Sequence, residues 1–179
     1  MKQVKLYGLG GQGVVTAAKV FAEAVAIGEN RYAQSIPAYG HERRGAPVYS
    51  DLMLSDTPIT VKSFVYHPDY IVVFDLSVVE KGVDITAGAS KDTIFIVNWP
   101  ELPADILGKN RKAYWVDARA ISLEVLQLDI PNTTMLGAMA GAGMAGIKAV
   151  QGAIIKYFAK AGEQNAKAAE RAFNELKHN

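Results

Sequence analysis

Gly8-Leu9-Gly10-Gly11-Gln12-Gly13 runs directly into Val14-Val15-Thr16-Ala17-Ala18-Lys19. A short apolar run, Val4 to Tyr7, precedes the glycines. Val14, Ala18, Phe21 and Val25 come next at helical spacing, with Lys19 and Glu23 on the opposite side. The segment therefore reads as strand, glycine turn, helix. Glycine lets another backbone or an anion approach closely, and a helix start offers unpaired N–H groups carrying partial positive charge. Gly8, Gly10 and Gly13 also fit the spacing G-x-G-x-x-G, which ordinarily points to a dinucleotide.

The residues beyond α-helical Lys19 and Glu23 weaken the dinucleotide reading. A dinucleotide fold places an acidic residue about 20 residues further on, at the end of the second strand, to hold a ribose. The second strand candidate here, Arg31 to Gln34, ends in Gln34-Ser35-Ile36-Pro37 without a carboxylate, and Glu29 lies before it. Three readings stay open at this point: a turn that serves only packing, a contact to an anion, and NAD or FAD binding.

The chain has 179 residues, half of them hydrophobic, enough for a single domain over 1–179 with a substantial core. Nineteen basic against 18 acidic residues leave almost no net charge, which argues against a nucleic-acid footprint. No apolar run reaches the roughly 20 residues that span a bilayer, and no signal peptide opens the sequence, so a cytoplasmic location without membrane contact is expected. The sequence contains no cysteine. Disulfides, thiol catalysis and Cys-ligated zinc or iron–sulfur clusters are thereby excluded within this chain. His41, His67 and His178 are scattered without metal-ligand spacing, and neither a nucleophile elbow nor a Walker lysine is present. No metal site is expected.

Ser35 to Pro47 is polar, carries two prolines and two glycines, and fits neither helical nor strand periodicity. A loop of that length inside a compact domain is unusual unless it is functional. Arg43 and Arg44 bring guanidinium forks suited to phosphate or carboxylate, and Glu42 is placed to orient one of them. An internal ion pair with Glu42 or Asp51 is the alternative. Beyond the loop, Val48 to Leu54 alternates, and Ile59 to Val65 is expected to pair with it as a hairpin. Tyr70 to Phe74, Thr93 to Val97 and Ala113 to Val116 are apolar runs suited to central parallel strands, ending in Asp75, Asn98 and Asp117. Each of these three polar residues is expected to cap the next helix. The chain is expected to be helical from Ala118 onward, with one glycine-rich helix over Thr133 to Ala149 that is buried or lies in an interface, and His178 in a terminal tail. The fold class is α/β: a three-layer α/β/α arrangement on a mostly parallel sheet, with a Rossmann-like glycine turn after strand 1 and helices at the C-terminus.

Two motifs together carry a family resemblance: the glycine turn through Lys19, and Tyr39-Gly40-His41-Glu42-Arg43-Arg44-Gly45-Ala46-Pro47-Val48. With Asn132-Thr133-Thr134-Met135-Leu136-Gly137-Ala138, Glu163-Gln164-Asn165 and Ala168 to Phe173, the sequence resembles, nearly end to end, the gamma subunit of the pyruvate and related 2-oxoacid:ferredoxin oxidoreductases. His41 departs from the proline more usual in that family.

The resemblance implies a multi-subunit enzyme that oxidatively decarboxylates a 2-oxoacid, pyruvate being favoured, to an acyl-CoA and reduces ferredoxin. The complex would use thiamine diphosphate, magnesium, [4Fe–4S] clusters and coenzyme A, held with thiamine-binding, alpha and ferredoxin-like subunits. The present chain, lacking cysteine and the Gly-Asp-Gly pattern that holds thiamine-bound magnesium, would bind none of these cofactors alone and supply no catalytic residue. Its expected part is to support the active site and to contribute to coenzyme A binding. Gly10, Gly11 and Gln12 would act as donors, and Arg43 and Arg44 as phosphate or interface contacts. A stand-alone NAD(P)- or nucleotide-binding protein and a purely structural subunit are the alternatives.

Overall fold

The computed structural model describes residues 1–38, 44–108 and 110–179. Strand β1, Lys2–Leu9, alternates as its sequence suggests: Val4 and Leu6 are buried on one face of the sheet, while Lys5 and Tyr7 point to the other. The glycine turn feeds helix α1, Val14–Glu23, which continues through a π-helical turn, Ala24–Gly28. Strands β2, Tyr32–Pro37, and β3, Pro47–Ser55, come after it. Next are β4, Tyr70–Val73, the single-turn helix α2, Ser77–Glu80, and β5, Ile94–Asn98. A second single-turn helix α3, Ala104–Leu107, leads to β6, Lys112–Val116. The C-terminal part comprises α4, Ala118–Leu126, α5, Asn132–Gly141, α6, Ile147–Phe158, α7, Gly162–Glu175, and a short strand β7, Lys177–His178.

The seven strands form one mixed sheet in the order β2-β3-β1-β4-β5-β6-β7. β1, β4, β5 and β6 are parallel, each apolar run lying between like neighbours. β3 runs antiparallel between β1 and β2, and β7 antiparallel at the far edge.

The structure corrects the expected strand pairing and the placing of His178. The hairpin partner of β3 is β2, in register Tyr32↔Ser55 to Pro37↔Ser50, not Ile59 to Val65, which forms no strand. The supposed loop from Ser35 is correspondingly shorter, since Ser35, Ile36 and Pro37 are in β2. His178 is not in a tail: β7 pairs with β6, its ring lies 5.5 Å from that of Tyr114, and Asn179 Oδ1 accepts the Ala113 N–H at 2.9 Å.

The two faces of the sheet are covered unequally. Helices α1, α4, α5, α6 and α7 all pack on one side, in a core built around Val4, Leu6, Phe21, Leu52, Phe74 and Ile96. Among the described residues the other side, with Tyr7, Ile71, Val73, Phe95 and Val97, is closed by α2, α3 and loops alone. The helical layer is itself double. α1 and α5 contact the strands, and α7 packs onto α4, α5 and α6. This is why α5 carries no polar face, with every residue from Asn132 to Ala140 buried. At Gly137 a Cβ would sit 1.8 Å from the Ala169 carbonyl oxygen, so only glycine lets the α5 and α7 backbones meet.

The single helix expected over Thr133 to Ala149 is instead two, α5 and α6, with the chain turning between them. Gly141, Gly143 and Gly146 lower helix propensity at that point, and Gly143 takes a left-handed φ of +79° that ends the helical backbone. Among the described residues no helix is long and apolar enough to cross a membrane.

Candidate functional site

The glycine turn lies at the carboxyl ends of the parallel strands, where open α/β sheets place ligands. Gly13 is the N-cap of α1 with φ +74°, and a Cβ there would lie 2.6 Å from Asn132 Nδ2. Both the left-handed backbone and the contact require glycine. Asn132 opens α5 beneath the turn, its Oδ1 accepting the Thr133 N–H at 2.7 Å. The Thr133 hydroxyl donates to Asn165 Oδ1 at 2.7 Å. Motifs far apart in sequence, around residues 8–13, 132–134 and 163–165, are thus packed into one corner.

The loop leading into β3 closes over the turn. The Gly10 N–H donates to the Ala46 carbonyl at 2.8 Å, and the Gly45 N–H donates to the Gly10 carbonyl at 3.0 Å. The Gln12 N–H donates to the Leu9 carbonyl at 3.1 Å. The Gln12 side chain spans the turn, accepting the Leu9 N–H at 2.8 Å and donating to Asp75 Oδ2 at 2.6 Å. The backbone N–H groups of Gly10 and Gln12, with one N–H of the Gln12 amide, thus hold the turn itself together. Gly11 is different: its N–H has no partner among the described residues, and Arg44 passes over it, with Cγ 3.5 Å from where a Cβ would be.

Beside the turn is a cleft of about 510 Å³, lined by Gly10, Gly11, Val14, Val15, Thr16 and Arg44 among others. The N–H groups of Val14, Val15 and Thr16 open α1 and have no hydrogen-bond partner among the described residues, and no side chain caps the helix. A half-charge equivalent of positive dipole, three donors and an exposed guanidinium share one cleft. Of the paired forks expected from the sequence, only Arg44 can be placed; Glu42 and Arg43 lie outside the described residues. Asp51, considered as an ion-pair partner for one of the arginines, is committed elsewhere: it lies 3.5 Å from Lys5 Nζ and accepts the Val65 N–H at 2.7 Å.

The polar residues ending β4, β5 and β6 surround a smaller cleft of about 220 Å³ that also includes Trp99 and Arg119. Asp117 caps α4 as expected, accepting the Ala120 N–H at 2.9 Å. Asp75 holds the start of the α2 turn, accepting the Ser77 N–H at 2.9 Å and its hydroxyl at 2.6 Å. Burial pushes the Asp75 carboxyl up, but hydrogen bonds from Ser77 and Gln12 and the charge of Arg119 outweigh it and hold the group below the usual carboxylate range. Asn98 does not cap the next helix. Its Nδ2 donates to the Phe74 carbonyl at 2.8 Å and its Oδ1 accepts the Arg119 N–H at 3.1 Å, tying β4 to α4. No sequence signal linked Gln12 to Asp75; the sequence marked Asp75 only as the polar end of an apolar run, and the β1–β4 pairing brings the two together.

The topology bears directly on the dinucleotide reading. In a dinucleotide fold a parallel second strand lies beside β1 and brings its carboxylate to the ribose. Here antiparallel β3 occupies that place, and the residues it brings beside Gly8 and Leu9 are Val48 and Pro47. Fold and site define an α/β domain with a Rossmann-like turn, a helix start open to an anion, no ribose strand, and no thiolate for a metal cluster.

Residues 3–175 match the family described as pyruvate ferredoxin/flavodoxin oxidoreductase. The chain is 46% identical over 180 residues to the pyruvate/ketoisovalerate oxidoreductases common subunit gamma of Thermococcus kodakarensis, covering 97% of this chain and 96% of that one. It is 42% identical over 178 residues to the pyruvate synthase subunit PorC of Methanocaldococcus jannaschii, covering 98% and 97%. The crystal structure of pyruvate oxidoreductase subunit PORC from Thermotoga maritima superimposes with a TM-score of 0.85 at 31% identity, over 99% of this chain and 97% of that one. The chain belongs to the pyruvate ferredoxin/flavodoxin oxidoreductase family, as a subunit of a 2-oxoacid:ferredoxin oxidoreductase complex. The resemblance drawn from the sequence motifs holds, and the stand-alone NAD(P) alternative is not supported.

Proposed function

We propose that this chain is the gamma-type subunit of a pyruvate:ferredoxin oxidoreductase and that the start of α1, with Gly11 and Arg44, holds a phosphate of coenzyme A. The relatives named for pyruvate support the substrate. The observation that carries the phosphate contact is that the unpaired N–H groups of Val14, Val15 and Thr16 share one cleft with Arg44. Helix N-termini with a guanidinium nearby suit a phosphate in both charge and donor geometry.

Coenzyme A supplies the thiol that accepts the acyl group. The work of this chain is binding and orientation: α1 fixes the donors, Gln12 locks the turn, and Gly45 and Ala46 hold the Arg44 loop over it. With no cysteine in the sequence, iron–sulfur clusters have no thiolate ligands here, and thiamine diphosphate, magnesium and the clusters belong to the alpha, thiamine-binding and ferredoxin-like subunits. The 1–179 chain acts as one domain of that complex in the cytoplasm, with ferredoxin as electron acceptor.

The test is Arg44→Lys in the reconstituted complex, which keeps the charge and removes the fork. The coenzyme A KM rises by about 10- to 150-fold, as expected for losing roughly 1.5–3 kcal/mol in a hydrogen bond to a charged group. Subunit assembly, monitored by gel filtration at two salt concentrations, stays unchanged. An unaltered KM with salt-sensitive dissociation would assign Arg44 to a subunit interface instead.

A further inference from the structure

Pro58 to Tyr66 reads Pro-Ile-Thr-Val-Lys-Ser-Phe-Val-Tyr, a stretch rich in β-branched and aromatic residues that the sequence marks as a strand. In the structure, residues 58–65 run without turn, bend or ladder. The N–H and C=O groups of Ile59 through Phe64 have no hydrogen-bond partner among the described residues. A sequence with strand propensity whose backbone goes unpaired conflicts with the rule that strands form by pairing.

The stretch is nevertheless fixed in place. Ile59 and Lys62 border a cleft against Tyr32 and Gln34 of the edge strand β2. At the other end buried Val65 is gripped twice, its N–H donating to Asp51 Oδ2 at 2.7 Å and its carbonyl accepting from Lys5 Nζ at 2.8 Å. The segment thus crosses the thinly covered face of the sheet from β2 toward β1. Large apolar side chains stand exposed along it and beside it: Val61 at 48%, Phe64 at 46%, Tyr66 at 69% and Tyr49 at 43%. So many exposed apolar groups around one unpaired segment mark an interaction surface rather than a solvated loop.

Lys62 decides which partner fits. It is exposed and makes no ion pair among the described residues. Antiparallel pairing with a second copy, centred on the exposed residues 60–64, would set Lys62 against Lys62, and like charges directly opposite oppose pairing. Lysine in such a position protects a free strand from joining its own kind. A strand with an acidic residue opposite Lys62 and apolar residues beside Val61 and Phe64 has no such penalty.

We propose that residues 59–64 are a docking strand, completed by an extended strand with an acidic residue from another subunit of the oxidoreductase complex. The proposal rests on this chain working inside a multi-subunit enzyme and names where one partner attaches.

Hydrogen exchange of the free chain and of the complex reconstituted with its other subunits provides the test. Amides on one edge of residues 59–64 slow by about tenfold or more on assembly, while the free chain exchanges them rapidly. Val61→Pro and Lys62→Pro, made separately, remove neighbouring amides that point opposite ways. One of the two, and Lys62→Glu, weakens assembly by about tenfold or more, with the thermal midpoint of the free chain unchanged. A complex that assembles with exchange at 59–64 unaltered overturns the proposal, as does a free chain that dimerises and protects the same amides. A wild-type chain that joins no complex would overturn the subunit reading itself.

Discussion

Gln12 Nε2 donates to Asp75 Oδ2 at 2.6 Å, joining the glycine turn after β1 to the end of the neighbouring strand β4. Because the same amide accepts the Leu9 N–H, the turn, β1 and β4 are locked through one side chain. A turn held in this way keeps the α1 donors in a fixed geometry, the condition for preorganised binding.

Asp75→Asn should cost about 1.5–3 kcal/mol at neutral pH, since charge-assisted bonds from Ser77 and Gln12 are lost. The Asp75 carboxyl titrates below its unfolded value, so its contribution is present above about pH 4 and is lost as pH falls through the depressed folded pKa. Urea midpoints of wild type and variant should therefore converge on acidification. A gap independent of pH would assign the loss to packing.

Tyr7 should resist ionisation. Burial, then the charges of Asp51 and Asp84, push its hydroxyl up to about 12. A raised folded pKa means stability is complete below the unfolded value near 10 and declines as pH rises from there through the folded pKa. Tyr7→Phe should flatten stability over that interval, and difference absorbance should lose a tyrosinate step near pH 12. An unchanged alkaline limb in the variant would contradict this.

Gly137→Ala should destabilise the chain by about 1–3 kcal/mol or more, because the added methyl has to displace the α7 backbone at Ala169. For a domain of this size that is a fall of roughly 2–12 °C in Tm. Gly152→Ala, on the exposed side of α6 with open space around it, should raise stability slightly. Equal effects at both positions would mean the α5–α7 approach is not close.

The isolated chain should carry no iron and reduce no dye with a 2-oxoacid, because it has no thiolate ligand for a cluster. It should bind NAD(H) no better than weakly, since β3 stands where a ribose-holding strand would be. Calorimetry showing saturable low-micromolar NAD(H) binding would contradict the topological reading.

The sequence by itself determined the strand–glycine turn–helix unit, the parallel run of β4, β5 and β6, the Asp117 cap and the absence of cluster ligands. Each is local: apolar periodicity, a left-handed glycine, a carboxylate before a helix, or the presence of a residue type. The motif pair around Gly8 and Gly45 also carried the family, because several unusual residues were fixed together.

The tertiary structure decided what those residues touch. Gly10 meets Gly45 and Ala46, Gly13 meets Asn132, and Gln12 meets Asp75, each pair separated by dozens of positions that no periodicity connects. Pairing was equally non-local. Both Tyr32–Pro37 and Ile59–Val65 have strand character, yet β3 has only one edge left after pairing with β1, and β2 occupies it. Strand propensity shows that a segment can pair; the number of free edges decides whether it does.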